Sequence, residues 1–273
     1  MPELPEIETI KRDLEKKVRG KKVKEVMIKN GKCLKEITEK EFIKRIKGKV
    51  FSQIRRRGKF LIIELDSKDN LVIHLRMTGI LIYSKEKREL NYTRIVFIFE
   101  DSSQLTLNDM RGFGNVWFIP RKEFQKIPLL HLLGPEPLEE NFTLEKFKTL
   151  LKRKKKKIKI LLMDQRSIAG IGNIYSQEAL FRAGIHPEKL SNRLFDKEIE
   201  KLYNSLRGVL QEAISHRGSS VDTYVDLEGE EGKYGQHLKV YGRKGKKCLR
   251  CGEIIKKINL GGRGTYFCPH CQI

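Results

Sequence analysis

The sequence predicts an α+β fold with strands gathered in its first half, helices in its second and a cysteine-rich end. Three observations carry this. From about Val23 to Pro120 the apolar residues come in short β-branched or aromatic runs, broken by turn residues such as Asp69-Asn70 and Asp101-Ser102. Beyond Thr143 they recur every three or four positions. Four of the five cysteines fall near the C-terminus as two Cys-x2-Cys pairs. Strand runs followed by helix runs segregate the two element types instead of alternating them.

In chain order, Leu4, Ile7, Ile10, Leu14 and Val18 mark one face of a helix. Pro5 suits its first turn, Glu3 and Glu6 its positive end, and Gly20 its stop. The segments "KFLIIELD", "LVIHLRM", "ILIYS", "RIVFIFED", "QLTLND" and "NVWFIP" then read as strands of an antiparallel β-sandwich or barrel. "LLGPEPLEENF" carries two prolines and a glycine and reads as a linker. Thr143 caps a helix with Leu144, Phe147, Leu150 and Leu151 inward. The lysine run "KRKKKKIK" follows, expected on a solvated helix face. "SIAGIGN" is a glycine turn, "IYSQEALFRAG" a helix ended by Gly184. Ile199, Leu202, Leu206, Leu210 and Ile214 mark another, closed by Gly218. The glycine-rich stretch beyond it has little apolar pattern and reads as a mobile loop. The expected division is a β domain (1–131), a linker (132–142), a helical domain (143–218), a loop (219–238) and a terminal hairpin (239–273).

With 57 basic against 35 acidic residues, the formal net charge is +22. A fold does not require that imbalance; it favours a polyanionic partner, nucleic acid first and an acidic membrane surface or acidic protein second. No stretch approaches the ~20 apolar residues of a membrane span. No basic segment followed by an apolar run opens the chain, so a cytoplasmic protein is expected. Cys33 stands alone. Cys248, Cys251, Cys268 and Cys271 are spaced to close a tetrahedral zinc site on two knuckles, which is structural because no position is left for water.

Other motifs admit two readings each. "GIGNIY" offers backbone N–H groups to a phosphate, or is a turn with Asn173 as helix cap. In "HLRMTG", strand parity places Met77 with Leu71, Ile73 and Leu75 and predicts that it is buried. "NDMRGFG" puts Arg111 and Phe113 on a glycine-bordered turn, where Phe113 serves as a wedge for a base stack or folds back on the core. Lys59, in "RRRGKF", reaches solvent or phosphate. "MPELPE" is a helix start or, once Met1 is removed, a nucleophile, a secondary amine beside the Glu3 carboxylate.

In this order, "MPELPEIET", "RRRGKF", "HLRMTG", "NDMRGFG", "LGPEPL", "LLMDQRSIAGIGNIY", "RGSSVDTYVD", "VYGRKGKKC" and "GGRGTYFCPHCQ" resemble the formamidopyrimidine-DNA glycosylase family over essentially the whole chain. The resemblance implies an N-terminal β-sandwich with a flanking helix, a helix–two-turn–helix domain and a zinc β-hairpin, with duplex DNA in the cleft between the halves. It implies a monomer that excises oxidised purines such as 8-oxoguanine and formamidopyrimidines in base excision repair. Pro2 would attack C1′ and form a Schiff base, Glu3 would assist ring opening, and Lys59 and Arg263 would serve β- and δ-elimination. Met77, Arg111 and Phe113 would fill the gap left by the flipped nucleotide, which places Met77 at the surface, against parity. His74, Lys155, Asn173, Tyr241 and Arg263 would hold phosphates. Glu6 and the loop residues Ser219, Thr223 and Tyr224 would meet the flipped base, the loop largely through its backbone.

Three positions depart from the commoner pattern. Tyr92 and Arg94 replace a His-containing pair, and Asp222 stands where a basic residue is frequent. The sister group, endonuclease VIII, which prefers oxidised pyrimidines, shares the Pro, the Glu and the zinc hairpin. A non-catalytic zinc-ribbon DNA-binding protein would need only the charge and the zinc.

Overall fold

The computed structural model describes residues 1–88 and 90–273. They fall into two compact units, Met1–His131 with His216–Gly235, and Leu132–Ser215 with Gln236–Ile273.

The first unit opens with α1 (Leu4–Lys17), whose Ile7, Ile10 and Leu14 are almost fully buried, as their spacing predicts. Two sheets follow. One contains β1 (Val23–Ile28), β6 (Gly79–Ser84), β7 (Thr93–Phe99) and β8 (Gln104–Asp109), in the order β1-β7-β8-β6. The other contains β2 (Leu34–Lys35), β3 (Phe51–Arg57), β4 (Phe60–Leu65), β5 (Asp69–His74) and β9 (Asn115–Pro120), in the order β2-β9-β5-β4-β3. The pairings are antiparallel except β2 with β9. Phe51 meets Phe97 edge-on at 6.0 Å, and Phe42 meets Phe118 at 5.9 Å. These rings form the middle of one core.

Phe42 lies on α2 (Glu39–Ile46), a short helix absent from the sequence reading. Thr38 caps it, its Oγ1 accepting the Glu41 N–H at 3.2 Å.

The stretch expected as a mobile loop is instead fastened to this unit. Tyr224 and Leu227 are buried in its core. Arg217 donates to Asp13 at 2.6 Å and to Asp226 at 2.7 Å, and the 2 %-exposed Asp226 also accepts the N–H groups of Glu228 and Glu230. Two apolar residues among many glycines are too few to register as a pattern, yet they suffice as anchors when a buried carboxylate organises the turns around them.

The second unit contains α3 (Leu144–Lys152), α4 (Ile158–Met163), α5 (Asn173–Ala183) and α6 (Asp196–Ser215). Gly184, at φ +77°, ends α5 as expected. The lysine run does not cover one helix face. It leaves α3 at Lys152, crosses a turn and enters α4, where Lys159 is fully buried. The proline-rich segment 132–142 is packed, not slack. Gly134 N–H donates to the Gln165 carbonyl, Ala169 N–H to that of Pro135, and Arg207 to that of Pro137. The chain ends in the hairpin β10 (Lys256–Leu260) and β11 (Arg263–Phe267), turned by Gly261 and Gly262 at φ +61° and +70°. Two successive left-handed residues are what a two-residue hairpin turn demands.

Candidate active site

Pro2 is buried in the chain that retains Met1, whose amino group lies 3.8 Å from Asp222 Oδ2. Glu3 caps α1 and forms a reciprocal box with Glu6. The Glu3 carboxylate accepts the N–H of Glu6, and the Glu3 N–H donates to Glu6 Oε2 at 2.7 Å. Both carboxylates are 2 % exposed. Glu6 Oε1 accepts the Ser219 N–H at 2.9 Å, so one side chain joins the start of α1 to the segment expected to cover a base. Ser219 is buried, and its Oγ makes no hydrogen bond. Thr223 is exposed. Tyr224 is a core residue whose hydroxyl donates to the Arg217 carbonyl at 3.0 Å, so its backbone alone is left for a ligand. No sequence signal announces this, because an aromatic residue in a glycine-rich loop has no periodic partners.

Lys59 follows Gly58 in the β3–β4 turn and is 6 % exposed. His74, at the end of β5, packs edge-on against Phe60 at 4.6 Å. Burial, then the charges of Arg76 and Lys59, push its pKa down to about 3. Its Nδ1 accepts the Arg76 N–H at 3.1 Å, so the proton of the neutral ring sits on Nε2, a donor suited to a phosphate oxygen. An unfolded histidine titrates near 6.5. Below that pH the unfolded chain binds a proton that folded His74 refuses. Stability is therefore lost as pH falls from about 6.5 towards 3, and this contribution is complete above 6.5. NMR titration should show a neutral His74 ring at pH 5; a midpoint near 6.5 in the folded protein would contradict it.

Met77 is 38 % exposed, which corrects the parity expectation. The strand stops at His74, and Arg76 takes a left-handed φ of +55°, so alternation no longer applies three residues on. Phe113 is 51 % exposed and Arg111 lies over its ring at 4.8 Å. Beneath them Asp109, 1 % exposed, accepts Thr78 Oγ1–H and Gly114 N–H, both at 2.6 Å. Arg94 donates twice to the Asp109 carbonyl, at 3.0 and 2.7 Å. Asp109 lies inside a motif read for its arginine and phenylalanine, and its part in holding the loop was missed. The departure Arg94 is a brace for the same loop.

In the second unit, Asn173 is the first residue of α5 and Gly172 is the cap, not Asn173. Its Nδ2 donates to the Gly264 carbonyl at 3.2 Å. Lys155 is exposed in the turn before α4. Tyr241 donates its N–H to Glu178 at 2.9 Å, and the same buried carboxylate accepts those of Lys239 and Val240. Burial raises the pKa of Glu178 against these three bonds. Arg263, exposed beside the hairpin turn, lines an open hollow of about 500 Å³ with Lys156, Asp164 and Arg166. Three cations around one carboxylate leave it attractive to anions.

The four clustered cysteines bring their sulfurs within 4.8 Å of one another. Cys251 and Cys268 are 3.5 Å apart, Cys248 and Cys271 4.0 Å. A tetrahedron with Zn–S bonds of ~2.3 Å has edges of about 3.8 Å, so the set fits one zinc ion closely. Arg250 and Cys271 N–H groups point at the Cys248 and Cys268 sulfurs at 3.4 Å, which favours thiolates. Four protein ligands complete the shell, so the zinc is structural.

Comparison with known proteins agrees with this geometry. Residues 1–116 match the formamidopyrimidine-DNA glycosylase N-terminal domain, 133–225 the formamidopyrimidine-DNA glycosylase H2TH domain, and 245–273 the zinc finger found in FPG and IleRS. A formamidopyrimidine-DNA glycosylase of Pelotomaculum thermopropionicum is 43 % identical over all of this chain and 99 % of its own. That of Listeria innocua is 41 % identical over the whole of both. A Lactococcus lactis FPG variant, solved with Fapy-dG-containing DNA, superposes with a TM-score of 0.92 at 39 % identity over 99 % of each chain. The MutM (FPG) protein of Thermus thermophilus gives 0.89 at 37 %, over 99 % of this chain and 98 % of that one. End-to-end matches at this identity, with all three modules in order, place this chain in the formamidopyrimidine-DNA glycosylase family.

Proposed function

We propose that this protein is a bifunctional DNA glycosylase and abasic-site lyase that removes oxidised purines from duplex DNA during base excision repair. The observation that carries the reading is the start of α1, where Glu6 bonds at once to the Glu3 N–H beside Pro2 and to the Ser219 N–H. This arrangement would hold base covering and attack in one register. The solved L. lactis relatives are complexes with Fapy-dG-containing and abasic-site DNA.

Loss of Met1 turns the Pro2 nitrogen from an amide into a secondary amine. An α-amino group has a pKa of roughly 8 against roughly 10.4 for lysine, so more of it is free near neutrality, although ring substitution offsets part of that gain. Pro2 attacks C1′, the base leaves, and the product is a permanently charged iminium, a good electron sink. Glu3 moves the proton that opens the sugar ring. Lys59 serves removal of the C2′ proton, which expels the 3′-phosphate, and Arg263 the later loss of the C4′ proton, which expels the 5′-phosphate. A base within a duplex is out of reach, so the nucleotide flips out at a cost of a few kcal/mol. Met77, Phe113 and Arg111 fill the vacated stack, with Arg111 facing the orphaned cytosine. Lys155, Asn173, Tyr241 and His74 hold phosphates, and the Ser219 hydroxyl and the Thr223 and Tyr224 backbone meet the base. We place this monomeric enzyme in the bacterial cytoplasm, with the chromosome; no described helix is long and apolar enough to cross a membrane.

Base release from paired duplexes carrying a formamidopyrimidine, 8-oxoguanine or thymine glycol tests the substrate class. The two purine lesions should be released at least tenfold faster; faster release of thymine glycol would transfer the protein to the pyrimidine-lesion class.

A further inference from the structure

β11 carries Arg263 at one end and runs into Cys268 at the other. The five intervening steps span about 17 Å of extended chain, too far for the zinc to fix the direction of the arginine. A two-stranded hairpin is marginal by itself. In this one, Gly264 and Tyr266 face Asn259 and Lys257, alternating with the Arg263–Leu260 pair next to the turn. The alternation of an antiparallel ladder leaves their backbone groups pointing away from β10, onto an open edge.

That edge is closed from α5, chiefly by one side chain. Gln177, on α5 and 1 % exposed, accepts the Tyr266 N–H on Oε1 at 2.5 Å and donates from Nε2 to the Gly264 carbonyl at 3.2 Å. Its amide occupies the place of a third strand's peptide. The same Nε2 also donates to the Asn173 carbonyl at 2.6 Å and lies 3.0 Å from Asn173 Oδ1, which ties the amide to α5, and Asn173 bonds the Gly264 carbonyl as well. Gly264 is the neighbour of Arg263, so the bonds from α5 that come nearest the arginine are those of Gln177 and Asn173 to the Gly264 carbonyl. A carboxylate in its place would keep the bond to Tyr266 and set an acceptor against the Gly264 carbonyl.

We propose that Gln177 is a positioning residue for Arg263, splinting the hairpin edge so that the guanidinium reaches the 5′-phosphate during δ-elimination. This rests on the role of Arg263 given above, and Gln177, 1 % exposed, acts only through the hairpin. On abasic-site duplex, denaturing gels separate β-eliminated from β,δ-eliminated ends, and borohydride trapping reports the Schiff base independently. Gln177→Met keeps length and apolar packing but removes both bonds to the hairpin, together with those to Asn173. It should lower the β,δ-to-β ratio by about tenfold, within the ~100-fold that a misplaced group can cost. Trapping yield and one bound zinc should be retained, and the Tyr266 amide should lose its protection from hydrogen exchange. Gln177→Glu, which keeps one of the two bonds, should fall between, and it decides the matter if Gln177→Met loses zinc. An unchanged ratio in the variants, with Arg263→Ala shifting it, would overturn the proposal. So would a fall in affinity for DNA with no change in ratio, which would put the effect on Asn173. If Arg263→Ala itself leaves the ratio unchanged, the assigned role of Arg263 fails, while Tyr266 exchange still reports whether Gln177 is a splint.

Discussion

Replacing Pro2 with Gly should reduce the borohydride-trapped covalent adduct on abasic-site DNA by at least ~10³-fold, the scale on which loss of a nucleophile is felt. Glycine still offers an amine, but a primary one on a freely rotating residue. The pyrrolidine ring of proline ties its nitrogen back to the side chain and presents it in one direction, just ahead of the Glu3 cap of α1. That helix is held on the core by Ile7, Ile10 and Leu14 and capped by the Glu3–Glu6 box, so little else needs to move for the nitrogen to stay aimed. A preparation retaining Met1 should be equally inert, because its Pro2 nitrogen is an amide without a free lone pair. Denaturing electrophoresis of the trapped complex measures both, and wild-type yields from either preparation would refute the nucleophile.

Stripping the zinc should be the second large effect. Structural zinc sites contribute ~10–16 kcal/mol in small peptides, and the terminal hairpin has only a small apolar core to set beside that. Its core is Val240, Ile255, Phe181 and two of the cysteines themselves. Chelation should abolish specific DNA binding, while circular dichroism retains the β signal of the first unit, whose own core includes none of these residues. Cys251→Ser should act in the same direction. Full base release after verified zinc loss would sink the expectation.

What the sequence revealed was local. The face of α1, the strand runs, the Gly184 stop and the cysteine spacing are each written in a few neighbouring residues. The helix Glu39–Ile46 is equally local yet is not among the predicted elements: Thr38 three before Glu41, then Phe42 and Ile46 four apart, is a capping signal in a stretch crowded with lysine. Other features are invisible to any window. Arg217 pairs with Asp13 across 204 positions, Ser219 with Glu6 across 213, and Tyr241 with Glu178 across 63. Buried carboxylates of this kind read in sequence as solvated charge, since only partners distant in the chain, a guanidinium or backbone N–H groups, make burial tolerable. Met77 shows the converse, a correct periodic rule applied beyond the end of its strand.

The loop of Arg111 and Phe113 sits on Asp109 and Arg94 before any ligand arrives. Ordering a flexible loop of that size on contact would consume ~1–2 kcal/mol of conformational entropy per residue. With the carboxylate and the guanidinium already holding it, and in the proposed role of Phe113 as a wedge, the binding energy of the complex would go into prising stacked bases apart, not into ordering the loop.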